Sequence, residues 1–226
     1  MKYSIKQIRM SLPQEKKSED GYWTTFFLRP LSIPLTWIAL RFGMSANGVS
    51  WASAGIALVG GILFGMTGFW LPLAGILLLN FFSVLDCVDG NVARVTGTAG
   101  PWGGWSDAVV GFIAYTVIFL GSGVYVYLRS GWWPVLLITA VTSSANLLAR
   151  VAYQKYKTIE PGSAQGSVSF ERMMAENVGI TGFLMPALVL CHFVGGMIWI
   201  VWFNLFFYLG GCIFTIYKIA RKAGVR

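Results

Sequence analysis

LDCVDGNVARVTGTAGPWGGWSDAVVGFIAY, residues 85–115, places Asp86, Asp89 and Asp107 within one short stretch. The whole chain of 226 residues holds only nine acidic side chains. It is 56% hydrophobic and 12% charged, with a mean hydropathy of +0.65. A soluble domain carries about 25% charged residues, so these carboxylates sit in a lipid-like setting. In a bilayer the backbone has no water to bond, which leaves helices and closed barrels as spanning structures. The apolar runs are long and continuous rather than alternating, which selects helices. The expected fold is an all-α integral membrane protein.

A span needs about 20 apolar residues. Working outward from the quoted stretch, the pattern predicts six transmembrane helices: 47–66, 70–94, 105–128, 132–153, 178–194 and 197–220. Trp70, Trp132, Trp133 and Trp199 fall near their ends, where amphipathic rings favour the interface. Before them, GYWTTFFLRPLSIPLTWIALRFG (21–43) is apolar but interrupted by Arg29, Pro30, Pro34 and Arg41. It reads as an interfacial helix; a seventh span is the rival. The first 20 residues are polar, without an apolar core and cleavage site, and are expected to form a cytosolic tail. The chain thus divides into 1–43, tail and interfacial helix, and 44–226, a six-helix membrane domain. The long polar loop is 154–177. Cys87, Cys191 and Cys212 read as small core residues rather than disulfides or ligands.

The charges test this layout. With six spans, sixteen of the seventeen basic residues fall on one side, and only Arg129 falls on the other. Positive charge marks the cytosol, so both termini are expected there in a multi-pass cell-membrane protein. The net charge of +8 is explained by anionic lipid headgroups and calls for no nucleic-acid partner.

On this topology Asp86, Asp89, Gly90, Ala93 and Arg94 share one face at the cytosolic end of the second span. Gly103, Asp107 and Gly111 share a face at the start of the third. Three carboxylates from two antiparallel neighbours then converge just inside the cytosolic surface. Each Asp costs roughly 2.5 to 3.5 kcal/mol at a span centre, and three together repel. A divalent cation offsets both, and oxygen ligands favour Mg²⁺, Mn²⁺ or Ca²⁺. Gly90, Ala93 and Gly103 remove bulk beside the ion, and Arg94 adds a cation suited to phosphate. The competing reading is structural: aspartates paired with Arg94, Arg150 or Lys157, and glycines serving helix packing.

The ordered string decides between them. It resembles the signature of the CDP-alcohol phosphotransferase family, D-x2-D-G-x2-A-R-x8-G-x3-D-x3-D, with Asp86, Asp89, Gly90, Ala93, Arg94, Gly103 and Asp107 at the expected spacings. The six-span layout with a preceding interfacial helix is also similar, and Asn47 and Ser50 resemble the polar start of the family's first span. The resemblance implies a metal-dependent enzyme, using Mg²⁺ or Mn²⁺, that moves a phospho-alcohol group from a CDP-alcohol donor to an alcohol or phosphorylated acceptor and releases CMP. The product is a phospholipid or a phosphodiester-linked glycan precursor. It further implies Asp86, Asp89 and Asp107 as metal ligands, Gly90, Ala93, Arg94 and Gly103 as the CDP donor site, and a homodimer.

One position departs from the signature. Where a last aspartate, the family's general base, is expected, this chain has Gly111. Four readings follow: an acceptor that needs no base, a substitute such as Glu160, Glu171 or Glu176, a mutation that traps bound donor, or a catalytically silent CDP-alcohol binder. His192, at the far end of the fifth span, is a poor substitute. Arg150, Lys155 and Lys157 are candidates for a phosphorylated acceptor, against a plain headgroup role. A transporter is the remaining class, but it would carry ionisable groups deeper in the bilayer and a pair of broken helices.

Overall fold

The structure, a computed structural model, describes residues 3–13, 20–160 and 177–224, and it is all-helical among them. A short α1 (Ile5–Met10) is closed by a capping box between Ser4 and Gln7. A π-helical turn, Thr24–Leu28, runs into α2 (Arg29–Arg41). Then come α3 (Ala46–Phe64), α4 (Trp70–Thr96), α5 (Pro101–Ser130) and α6 (Pro134–Ile159). A second π-helical turn, Ile180–Leu184, leads into α7 (Met185–Val194), and α8 (Met197–Gly224) closes the chain.

Five of these helices, α3, α4, α5, α6 and α8, are long and apolar enough to cross a membrane. The segment 24–41 is not one of them. The predicted spans lie within these helices or overrun them by two residues. The exception is 178–194. Its uninterrupted apolar helix, Gly182–Val194, is shorter than a span. Gly182 has non-helical backbone angles (φ −104°, ψ −111°), so the π turn itself is kinked just before α7. Asn80 on α4 stitches this junction: its amide donates to the Met185 carbonyl at 3.3 Å. Of the predicted 154–177 loop, residues up to Ile159 extend α6, and 161–176 lie outside the described residues.

Small residues set how closely the helices approach. On α3, Ser50, Ser53, Ala54, Ala57, Gly60 and Gly61 form a buried face. A Cβ on Gly75 of α4 would lie 2.3 Å from the Phe64 nitrogen and 2.6 Å from the Gly60 oxygen, so α3 and α4 touch backbone to backbone. A Cβ on Gly123 of α5 would meet Thr139 of α6 at 2.2 Å. Phe64, Ile76, Leu79, Ile118 and Leu188 fill the main core between them. The face of α2 with Ser32, Thr36 and Ala39 is buried. It packs on α4, where Ala39 joins Val88 and Val92 in a second core.

Candidate functional site

The site forms where α4 ends and α5 begins. Gly97 stops α4 in the left-handed conformation (φ 69°), which glycine adopts without a Cβ clash. Pro101 starts α5 with its fixed φ and missing N–H. Only residues 97–100 connect the two helices, so their adjoining ends stay together. Asp86 and Asp89 sit in the closing turns of α4, and Asp107 sits in the second turn of α5. Each offers a carboxylate oxygen, and these oxygens all lie within 4.8 Å of one another. Asp89 is buried, Asp86 half-buried and Asp107 exposed. The three predicted ligands are therefore brought together.

A third helix contributes. Ser50 on α3 donates its hydroxyl to Asp89 Oδ2 at 2.5 Å. That bond fixes the carboxylate. Ser50 had only a weak sequence signal, a polar residue opening an apolar helix. The donor set is all hard oxygen, anionic and open to solvent on the Asp107 side, which fits a divalent ion such as Mg²⁺ or Mn²⁺.

Arg94 lies one turn beyond Gly90 and folds back over it. A Cβ on Gly90 would be 3.2 Å from Arg94 Nη1 and 3.3 Å from Nη2. In this structure the room at Gly90 is taken by the guanidinium. Arg94 Nη2 donates to Asn91 Oδ1 at 2.7 Å, and Arg94 Nε is buried with no partner among the described residues. Asn91 occupies an unassigned position of the sequence pattern, and nothing in the spacing marked it. Gly103 is open: a Cβ there would meet only Asn47 Oδ1, at 3.9 Å. Ala93 is half-buried on the face of Arg94's helix that it was predicted to share.

Gly111 is buried one turn beyond Asp107. A Cβ there would touch only the Tyr115 ring, at 3.6 Å, with the phenol oxygen 4.0 Å away. The Arg150 guanidinium stands 4.1 Å from the centre of that ring, and Arg150 Nε donates to Asn146 at 3.2 Å. Tyr115 and Arg150 are thus the side chains around the position where a carboxylate was expected. Lys157 lies over Tyr153 instead. Glu160 accepts from the Tyr156 hydroxyl, and Glu171 and Glu176 lie outside the described residues. His192 bonds Tyr125 at the opposite end of α5.

Fold and site together define a multi-pass helical membrane protein with a carboxylate cluster able to hold a metal ion. No family model matches the chain. A curated relative, phosphatidylinositol phosphate synthase of Streptomyces avermitilis, is 30% identical over 108 residues. The match covers 47% of this chain and 42% of that protein, less than half the length of each. The chain is distantly homologous to a CDP-alcohol phosphatidyltransferase.

Proposed function

We propose that the protein is a membrane phosphotransferase that transfers a phospho-alcohol group from a CDP-alcohol to an acceptor and releases CMP. The observation that carries this reading is the convergence of Asp86, Asp89 and Asp107 from two helices, in a sequence order that resembles the family signature. Distant homology to a phosphatidylinositol phosphate synthase supports the same class. By that analogy the acceptor is a phosphorylated polyol, with Arg150, Lys155 and Lys157 as candidate contacts.

In the reaction an acceptor oxygen forms a bond to the distal phosphorus, the bond from that phosphorus to CMP breaks, and the acceptor proton is released. Asp86, Asp89 and Asp107 would hold the ion, Ser50 orients Asp89, and Gly103 leaves room for the donor. Mg²⁺ or Mn²⁺ bound there neutralises phosphate charge and supports in-line displacement. Arg94, folded over Gly90, supplies a cation for the pyrophosphate. The working topology has six spans, with 178–194 as the fifth, both termini and the site facing the cytosol, and a homodimer as the unit.

Gly111 favours a second reading, a silent CDP-alcohol binder, because the position offers no side chain to take the acceptor proton. General base help is typically worth 10²- to 10⁴-fold. Purified protein in lipid, given Mg²⁺ and a panel of CDP-alcohols and polyol phosphates, is expected to release CMP with one pair. Binding without release across the panel supports the silent binder, and neither binding nor release rejects both. Gly111→Asp has room for its Cβ. A rate gain of about 100-fold would identify the glycine as the lesion of a disabled enzyme.

A further inference from the structure

Asn91 is fully buried, and its amide is used at both ends. Its nitrogen donates to Ser32 Oγ and to Thr36 Oγ1, each at 3.1 Å. Its oxygen accepts from Arg94 Nη2 at 2.7 Å. Ser32 and Thr36 are themselves fully buried and fixed: Ser32 donates to the Arg29 carbonyl at 2.9 Å, and Thr36 to the Ser32 carbonyl at 2.7 Å. Arg29, one turn earlier, is clamped by Asp20 through two bonds of 2.7 and 2.9 Å. A continuous polar chain therefore runs from Asp20 through α2 to Asn91 and on to Arg94. All of it lies in surroundings where an unmet polar group is costly.

Arg94 ends this chain incompletely bonded. One Nη is held by Asn91, while Nε is buried without a partner among the described residues. A buried guanidinium N–H with nothing to donate to is poised for an anion, and a bidentate phosphate is the group that matches its fork. Gly90 permits this pose, because any Cβ there would press on Nη1 and Nη2 at 3.2–3.3 Å. Neither the signature nor the carboxylate cluster gives Asn91 or α2 a part in the site.

We propose that Asn91 is the positioning residue of the donor site: anchored on α2 by Ser32 and Thr36, it aims the Arg94 guanidinium at the diphosphate of a nucleotide donor. The proposal rests on the donor reading above. It assigns the interfacial helix a part in substrate binding beyond attachment to the membrane surface, since the anchoring hydroxyls belong to it. Asn91 acts through Arg94 and makes no contact with substrate itself.

The test is a double-mutant cycle on the full chain in lipid nanodiscs. The probe is CDP with Mg²⁺, and binding is measured by calorimetry. Arg94→Ala is expected to weaken CDP about 10- to 100-fold, the range for hydrogen bonds to charged groups. Asn91→Ala is expected to weaken it about 10-fold with Arg94 still present, and to add less than about 2-fold in the Arg94→Ala background, as coupled residues do. Ser32→Ala with Thr36→Ala, which leaves Asn91 and Arg94 intact, is expected to reproduce part of the loss. This pair also serves if Asn91→Ala fails to fold. A purely structural Asn91 would give losses that add to that of Arg94→Ala, and that result overturns the proposal, as does wild-type affinity in Asn91→Ala or, where only the pair folds, in the pair. Failure of the wild-type protein to bind CDP would instead overturn the donor reading and this inference with it.

Discussion

The two ends of α4 and α5 solve the same problem in opposite ways. Both place polar side chains in apolar helices. At the end where α5 finishes, Tyr125 bonds His192 Nδ1 at 3.0 Å, and Arg129 lies over the Tyr125 ring at 3.6 Å. Arg129 also donates to the Tyr125 and Gly68 carbonyls, and Phe69 covers the histidine ring. One cation meets carbonyls and aromatic faces, and among the described residues no carboxylate takes part. At the other end, three carboxylates crowd within 4.8 Å. The first arrangement is a staple of one cation, a phenol and an imidazole, in which His192 Nδ1 is bonded and Nε2 is buried without a partner among the described residues. The second gathers three carboxylates from two helix ends, as expected of a site that receives a cation. Polarity in a membrane helix is thus a weak guide to function; the sign and convergence of the charges discriminate.

The sharpest way to break this contrast is Asp86→Ala or Asp107→Ala. Loss of a supporting residue around a metal typically costs 10- to 100-fold, so loss of a ligand is expected to weaken Mg²⁺-dependent CDP binding by about 100-fold or more. Unchanged affinity in both would remove the carboxylate end from the site category. Next in size, Gly75→Ala tests the packing that carries both ends. Its Cβ has only backbone to meet, and overpacking of about 1–3 kcal/mol is expected, read as a lower thermal midpoint in detergent. Gly104→Ala, where a Cβ meets nothing within 4 Å, serves as its neutral partner. Ser50→Ala removes the bond that orients Asp89, and about a 10-fold loss of Mg²⁺ affinity is expected without a comparable loss of stability. The smallest effect belongs to the staple. Tyr125→Phe is expected to lower stability by about 1 kcal/mol and to leave CDP binding unchanged; altered binding there would show that the two ends are not independent.

Much of this was legible in the chain itself. Apolar length located α3, α4, α5, α6 and α8 within a few residues, because the bilayer enforces helices wherever that length occurs. The 3.6-residue period put Asp86, Asp89 and Asp107 on converging faces. The fifth segment was less readable. Its composition is that of a span, yet Gly182 breaks the helix, and Asn80 bonds Met185 just beyond the break. Asn91 escaped for a related reason. Its partners, Ser32 and Thr36, are 59 and 55 residues away, and no periodicity links a residue to such distant neighbours. At Gly90, reading by spacing foresaw space but not its present tenant, since side-chain direction back along the helix brings Arg94 into that gap.

The brief connection at residues 97–100 has a further meaning. Because it ties the end of one helix to the start of the next, the third acid arrives beside the other two as soon as the hairpin closes. Any ion held by these carboxylates would therefore encounter a finished socket and have no loose strands to gather. Lengthening that link by several flexible glycines would turn a rigid receptacle into one assembled anew at every encounter. Affinity for the ion would then fall even though every liganding side chain was still present.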